Sequence, residues 1–197
     1  RDRGDTTLRL DYPLDQRSIV FDLGGYHGDF AASIVERFDC QVYIFEPVPA
    51  FAEICVRRFE NNPKVRALPF GLSSMDGEFQ ISTAADGSSI VHQRPGASTL
   101  KVRVRSFADL MTEERIEHID LLKINIEGGE YDVLPHLMDR GIIDRISNLQ
   151  IQFHNFVEGH VAKRDRIRAQ LSRTHTESWC YPFVWESWRL KSMPAGT

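Results

Sequence analysis

The sequence predicts an open, doubly wound α/β sheet, on three observations. Short apolar runs near residues 19–23, 41–45, 65–70, 119–126 and 148–153 alternate with stretches whose apolar residues recur at helical spacing. A glycine cluster, Gly24, Gly25 and Gly28, follows the first run, and in such sheets the turn after a strand lets backbone approach a ligand at the start of the next helix. The second run closes on an acid, Glu46, placed to accept hydrogen bonds from ribose hydroxyls. The expected fold is therefore a Rossmann-like, mostly parallel seven-stranded sheet, with a C-terminal antiparallel hairpin and a small β insertion.

Residues 19–23 form a continuous apolar run apart from Asp22, which suits a central strand covered on both faces. Phe30, Ile34, Val35 and Phe38 mark a helix over 28–38, and residues 41–45 a second strand closed by Pro47 and Pro49. A helix over 51–60 stops at Asn61-Asn62-Pro63, before a strand over 65–70. The α/β rhythm then breaks. Segments 78–82, 88–91 and 100–104, separated by Asp76-Gly77, Asp86-Gly87 and Pro95-Gly96, predict an antiparallel insertion over about 76–104.

Ser106 is a fitting N-cap for a helix over 107–115, and the next buried strand spans 119–126. Residues 131–134 read as a first helical turn, with Pro135 restarting a short helix that Gly141 ends; a kinked single helix is the alternative. A strand over 148–153, a helix over 160–174 with a basic, solvated face, and a hairpin over 179–184 and 187–190 complete the chain. Trp179, Trp185 and Trp188 in that hairpin read as core packing ahead of an acceptor pocket.

The chain has 197 residues, 42% of them hydrophobic, enough for one α/β core and hence one domain over 1–197. A net charge of −4 gives no basic field for nucleic acid, and no apolar run approaches the roughly 18 residues of a membrane span. Cys40, Cys55 and Cys180 have neither disulfide nor zinc spacing, so the expected setting is reducing and cytoplasmic, with no metal site.

A dinucleotide fingerprint counted from Gly24 needs glycine at positions 26 and 29, where the chain has Tyr26 and Asp29. That argues against NAD or FAD. The spacing Asp22-x-Gly24-Gly25-x-x-Gly28 instead resembles the first motif of class I S-adenosylmethionine-dependent methyltransferases, in which the acid lies near the cofactor's amino acid end.

A second polar constellation closes the strand at 119–126. If it stays extended, Lys123, Asn125 and Glu127 share one face, and Asp22, Glu46, Glu127 and His154 all fall at carboxyl ends of strands. The run Asp120-Leu-Leu-Lys-Ile-Asn-Ile-Glu-Gly-Gly-Glu-Tyr-Asp-Val-Leu134 resembles the signature of FkbM-type methyltransferases. Phe21-Asp-Leu-Gly-Gly-Tyr-His-Gly28, Phe45-Glu-Pro-Val48, Gly71-Leu-Ser-Ser74 and Phe153-His154 extend the similarity over about 18–155.

The resemblance implies S-adenosylmethionine as cofactor, held by Asp22, Gly24, Gly25, Gly28, Glu46 and Asn125, with Leu72 and Ser73 where this fold contacts adenine. It also implies O-methylation of a hydroxyl on a sugar, glycan or secondary metabolite. His154 is the candidate general base, since a histidine's ordinary pKa lies near neutrality. Glu127 either orients it, binds the acceptor, contacts the cofactor or caps the helix beginning at Gly128 or Gly129; Glu130 reads as structural, and Lys123 as an ion-pair partner or a snorkelling lysine. Two departures stand out: Asn125 replaces the family's usual Asp and Gln152 its usual Glu, each removing a negative charge. A degenerate domain that binds cofactor or glycan without turnover is the competing expectation.

Overall fold

The computed structural model describes residues 8–84, 87–89 and 99–192. A seven-stranded sheet runs in the order β3-β2-β1-β8-β9-β11-β10. Its strands are β1 (Ile19–Leu23), β2 (Gln41–Phe45), β3 (Val65–Leu68), β8 (Leu121–Ile124), β9 (Asn148–Ile151), β10 (His175–Tyr181) and β11 (Trp185–Leu190). Only β11 runs against the rest, pairing antiparallel with both β9 and β10. The order reverses at β1 and β8, which puts the ligand crevice at their carboxyl ends.

Alternation along the strands assigns each face. Phe21, Leu23, Leu122, Ile124, Leu149 and Ile151 pack with helices α3 (Phe107–Glu113), α4 (Glu130–Asp139) and α5 (His160–Thr174). Val20, Val42, Ile44 and Leu121 pack with α1 (Asp29–Phe38), α2 (Pro49–Phe59) and Tyr12 on the other side. Covered on both faces, the strands need no solvent-facing polar residue. The polar ones they carry, Asp22, Lys123 and Gln150, lie in register on adjacent strands of the second face.

A second sheet, in the order β4-β7-β5-β6, holds β4 (Gly71–Ser73), β5 (Gly77–Ala84), β6 (Gly87–Ser89) and β7 (Thr99–Ser106). The insertion is thus mainly antiparallel, as expected, but it also takes β4, which lies just beyond the third strand and pairs parallel with β7. Ile90, Val91 and the Pro95-Gly96 turn lie outside the described residues. Ser106 ends β7 and caps α3, its Oγ accepting from Asp109 N at 3.3 Å.

Several boundaries move for local reasons. Helix α2 starts at Pro49, whose fixed φ suits a first helical turn, rather than at residue 51. Residues 130–139 form one helix with Pro135 inside it. The strand expected over 119–126 holds only 121–124: Ile119 makes an isolated parallel bridge to Ile146, and past the strand the chain turns at Glu127 (φ 51) and Gly128 (φ 100). The hairpin begins at His175, directly after α5. The basic face of α5 is only partly solvated: Arg164 is buried on Glu186 at 3.0 Å, and Arg168 pairs with Glu177 and Glu186.

Candidate active site

At the carboxyl ends of β1, β2 and β8, roofed by the second sheet, lies a cavity of about 700 Å³, within the usual range for a small-molecule site. Gly24 shapes its floor. Its φ of 82 is left-handed, and a Cβ there would stand 1.8 Å from the Asn125 carbonyl oxygen, so only glycine lets the turn after β1 meet the end of β8. Gly25 and Gly28 do not line the cavity; Cβ atoms on them would meet Ile44 at 2.1 Å and Phe59 at 2.8 Å, so these glycines let the turn and α1 pack against β2 and α2.

Glu46 lines the cavity and is buried, which pushes its carboxyl pKa up against the hydrogen bonds that lower it. Oε2 accepts from Tyr26 N at 2.8 Å and Oε1 from Val48 N at 2.9 Å. Each oxygen keeps one lone pair, the number needed for a pair of vicinal hydroxyls. Leu72 and Ser73, at the end of β4, also line the cavity.

Asp22 is fully buried and does not line the cavity. Lys123 Nζ donates to its Oδ1 at 2.7 Å and to Gly24 O at 2.8 Å, so this lysine is the clamp of the glycine turn rather than a snorkelling chain. Lys123 does not share the crevice with Asn125 and Glu127, because the strand ends before them. Asn125 lines the cavity, and its buried Oδ1 has no hydrogen-bond partner.

Glu127, Glu130 and His154 form a row leading inward from the cavity. Glu127 lines it, in a left-handed conformation that costs a non-glycine residue on the order of 1–3 kcal/mol. Its Oε1 is 3.5 Å from His154 Nε2, and His154 Nδ1 is 3.1 Å from Glu130 Oε1. Glu130, fully buried, also accepts from His154 N at 2.8 Å and Gly128 N at 2.9 Å. Burial of His154 pushes its pKa down, but the hydrogen bonds and charges of Glu127 and Glu130 outweigh it and hold the ring up at about 9. The ordinary near-neutral pKa for which His154 was singled out does not survive folding. At neutral pH it is an imidazolium behind Glu127.

Sequence reasoning missed Tyr26, Ser74 and Asp132, and the apolar wall of Val48, Phe51, Ile81, Val104 and Val133. For Asp132 and Val133 a signal existed: they lie three and four residues after Gly129, on the same helical face. Trp185 and Trp188 are buried outside the cavity, and none of the three tryptophans lines it.

Among the described residues, the cavity's charged side chains are three carboxylates, Glu46, Glu127 and Asp132, with no lysine, arginine or histidine. Such a lining repels a pyrophosphate and suits a ligand with positive charge and ribose hydroxyls. The Gly24 cradle, the paired lone pairs of Glu46 and the orphaned Asn125 Oδ1 fit S-adenosylmethionine on those grounds.

The strand order, with a cavity at its switch point, is that of the Rossmann-like methyltransferase fold. The model of the FkbM methyltransferase domain matches residues 22–177, so the chain belongs to the FkbM family of S-adenosylmethionine-dependent methyltransferases. Among solved structures it is similar to methyltransferase FkbM from Methylobacillus flagellatus KT, with 15% identity and a TM-score of 0.59 over 90% of this chain and 44% of that one. The chain thus spans less than half of that protein's length. It is also similar to an rRNA methylase from Streptococcus thermophilus, with 13% identity and a TM-score of 0.53 over 91% and 90% of the two chains. No curated protein matches the sequence significantly. Among the described residues, no helix is long and apolar enough to cross a membrane.

Proposed function

We propose that this chain, folded as one domain, is an O-methyltransferase that uses S-adenosylmethionine on a hydroxyl of a sugar, glycan or secondary metabolite. The observation that carries the reading is Glu127, a carboxylate held on a left-handed turn beyond the end of β8, lining the cavity and backed by His154. S-adenosylmethionine, when bound, supplies an electrophilic methyl group on a sulfonium. Glu46 would hold the ribose hydroxyls and Gly24 with Asn125 the amino acid end. Glu127 would accept the hydroxyl proton as the acceptor oxygen attacks, and His154 would orient it.

A nucleic-acid acceptor is disfavoured by the net charge of −4 and the carboxylate lining. A cytoplasmic location is in keeping with three unbridged thiols. Binding without turnover is the second reading, favoured by a histidine that is already protonated at neutral pH. Calorimetry with S-adenosylhomocysteine, followed by labelled-methyl transfer to a panel of hydroxylated acceptors, separates the two. Glu127→Gln is expected to keep product binding and lose about 10²-fold or more in kcat. Full turnover in that variant removes Glu127 from the chemistry; binding with no transfer to any acceptor supports the silent domain.

A further inference from the structure

Glu130 stands at the first position of α4, is fully buried and does not line the cavity. The helix dipole favours an acid there, and a single oxygen is enough to cap the turn before the helix. Glu130 uses both. Its Oε2 accepts from Gly128 N at 2.9 Å, while its Oε1 accepts from His154 N at 2.8 Å and faces His154 Nδ1 at 3.1 Å. Taking an ionised carboxylate fully out of water is costly unless a charge pairs with it, and a cap at the surface would avoid that cost.

Both oxygens lead to Glu127. The Gly128 N–H belongs to the peptide group that follows Glu127, so Oε2 holds the plane on which the left-handed turn at Glu127, φ 51, depends. On the other side, the ring that faces Glu130 through Nδ1 faces Glu127 Oε1 through Nε2 at 3.5 Å. Carboxylates only accept, so each ring nitrogen must carry a proton to satisfy the acid before it, and the ring bridges the two acids as an imidazolium. Glu127 and Glu130 are the charged groups that act on it, and together they overcome its burial. The backbone turn of Glu127 and the partner of its side chain thus trace to one buried carboxylate.

We propose that Glu130 is the positioning residue of the methyl-transfer site, holding the Glu127 carboxylate at the cavity through His154 and through the Gly128 amide. The proposal rests on the reading of Glu127 as proton acceptor above. Glu130 acts only through those two groups; without its charge the turn can relax and Glu127 loses the partner that fixes its side chain.

Two readouts test it in three proteins: the wild type; Glu130→Gln, which keeps the shape and one accepting oxygen but loses the charge; and Tyr131→Phe, which removes a different bond to the same histidine. The first readout is the pH titration of the His154 imidazole by nuclear magnetic resonance, with S-adenosylhomocysteine present. The wild-type midpoint is expected at about 9. In Glu130→Gln it should fall by about one pH unit or more, a tenfold weaker hold on the proton, and in Tyr131→Phe it should stay close to the wild type's. The second readout is labelled-methyl transfer to the panel of hydroxylated acceptors. Glu130→Gln is expected to lose about tenfold or more in kcat, with acceptor KM and S-adenosylhomocysteine affinity within about threefold of the wild type, and its activity should fall off at lower pH because the ring loses its proton earlier. A wild-type midpoint near the ordinary 6.5 overturns the proposal without any variant. So does a kcat in Glu130→Gln equal to the wild type's, or a midpoint that moves no further than in Tyr131→Phe. A wild type that transfers methyl to no acceptor while the midpoints move as expected overturns the reading of Glu127 instead.

Discussion

Asp22 and Lys123 show how a residue can govern a ligand site without touching the ligand. They are register partners on adjacent strands, both buried, and the same ammonium that neutralises Asp22 also grips the Gly24 carbonyl. Removing one partner strands the other: Lys123→Met is expected to cost about 3–5 kcal/mol, and the neutral pair Lys123→Met with Asp22→Asn to recover most of it. Urea unfolding of the wild type and the two variants checks this, and equal losses in the single and double variants would refute the clamp.

Sequence alone marked both residues, and left open whether the lysine pairs or snorkels. That choice depended on which strand lies beside β1, a matter of pairing between residues 101 positions apart.

At the scale of elements, the joint that matters ties the turn after β8, the start of α4 and the end of β9. Glu130 closes it, bonding Gly128 N on one side and His154 N and Nδ1 on the other, while Tyr131 Oη donates to His154 O at 2.8 Å. The folded ring's pKa, about 9, lies above its ordinary 6.5. A raised histidine pKa adds stability that is complete below the unfolded value and is lost as pH rises through the folded one. The clasp should therefore contribute on the order of 3 kcal/mol near pH 6 and fade through pH 9. Urea midpoints of the wild type are expected to fall relative to His154→Gln between pH 7 and 10; parallel pH profiles would count against the imidazolium.

The glycines and acids of this joint were legible as a motif. The protonation state was not, because it is set by two carboxylates converging on one ring.

Over the whole molecule, the cavity is lined by residues of both sheets, which the chain joins at the β3–β4 turn. Leu72, Ile81 and Val104 come from the second sheet, and Gly24, Glu46 and Asn125 from the ends of the first. A ligand filling this space contacts both. S-adenosylhomocysteine at about 100 times its Kd should raise stability by about 2.7 kcal/mol. Amide hydrogen exchange is expected to slow both in the turn at 24–28 and along β4 and β7. Protection confined to the first sheet would mean that the second does not close over the ligand.

The sequence by itself determined the sheet's alternation of strand and helix, the glycine turn, the acid that closes the second strand and the family resemblance, because these depend on local periodicity and on short motifs whose backbone demands are written in adjacent residues. Tertiary structure alone decided that Asp22 is spent on Lys123, that His154 is charged and stands behind Glu127, and that Asp132 faces the cavity. Each of these depends on which distant side chains the fold brings together, where Coulomb forces and hydrogen-bond capacity, rather than residue type, assign the role.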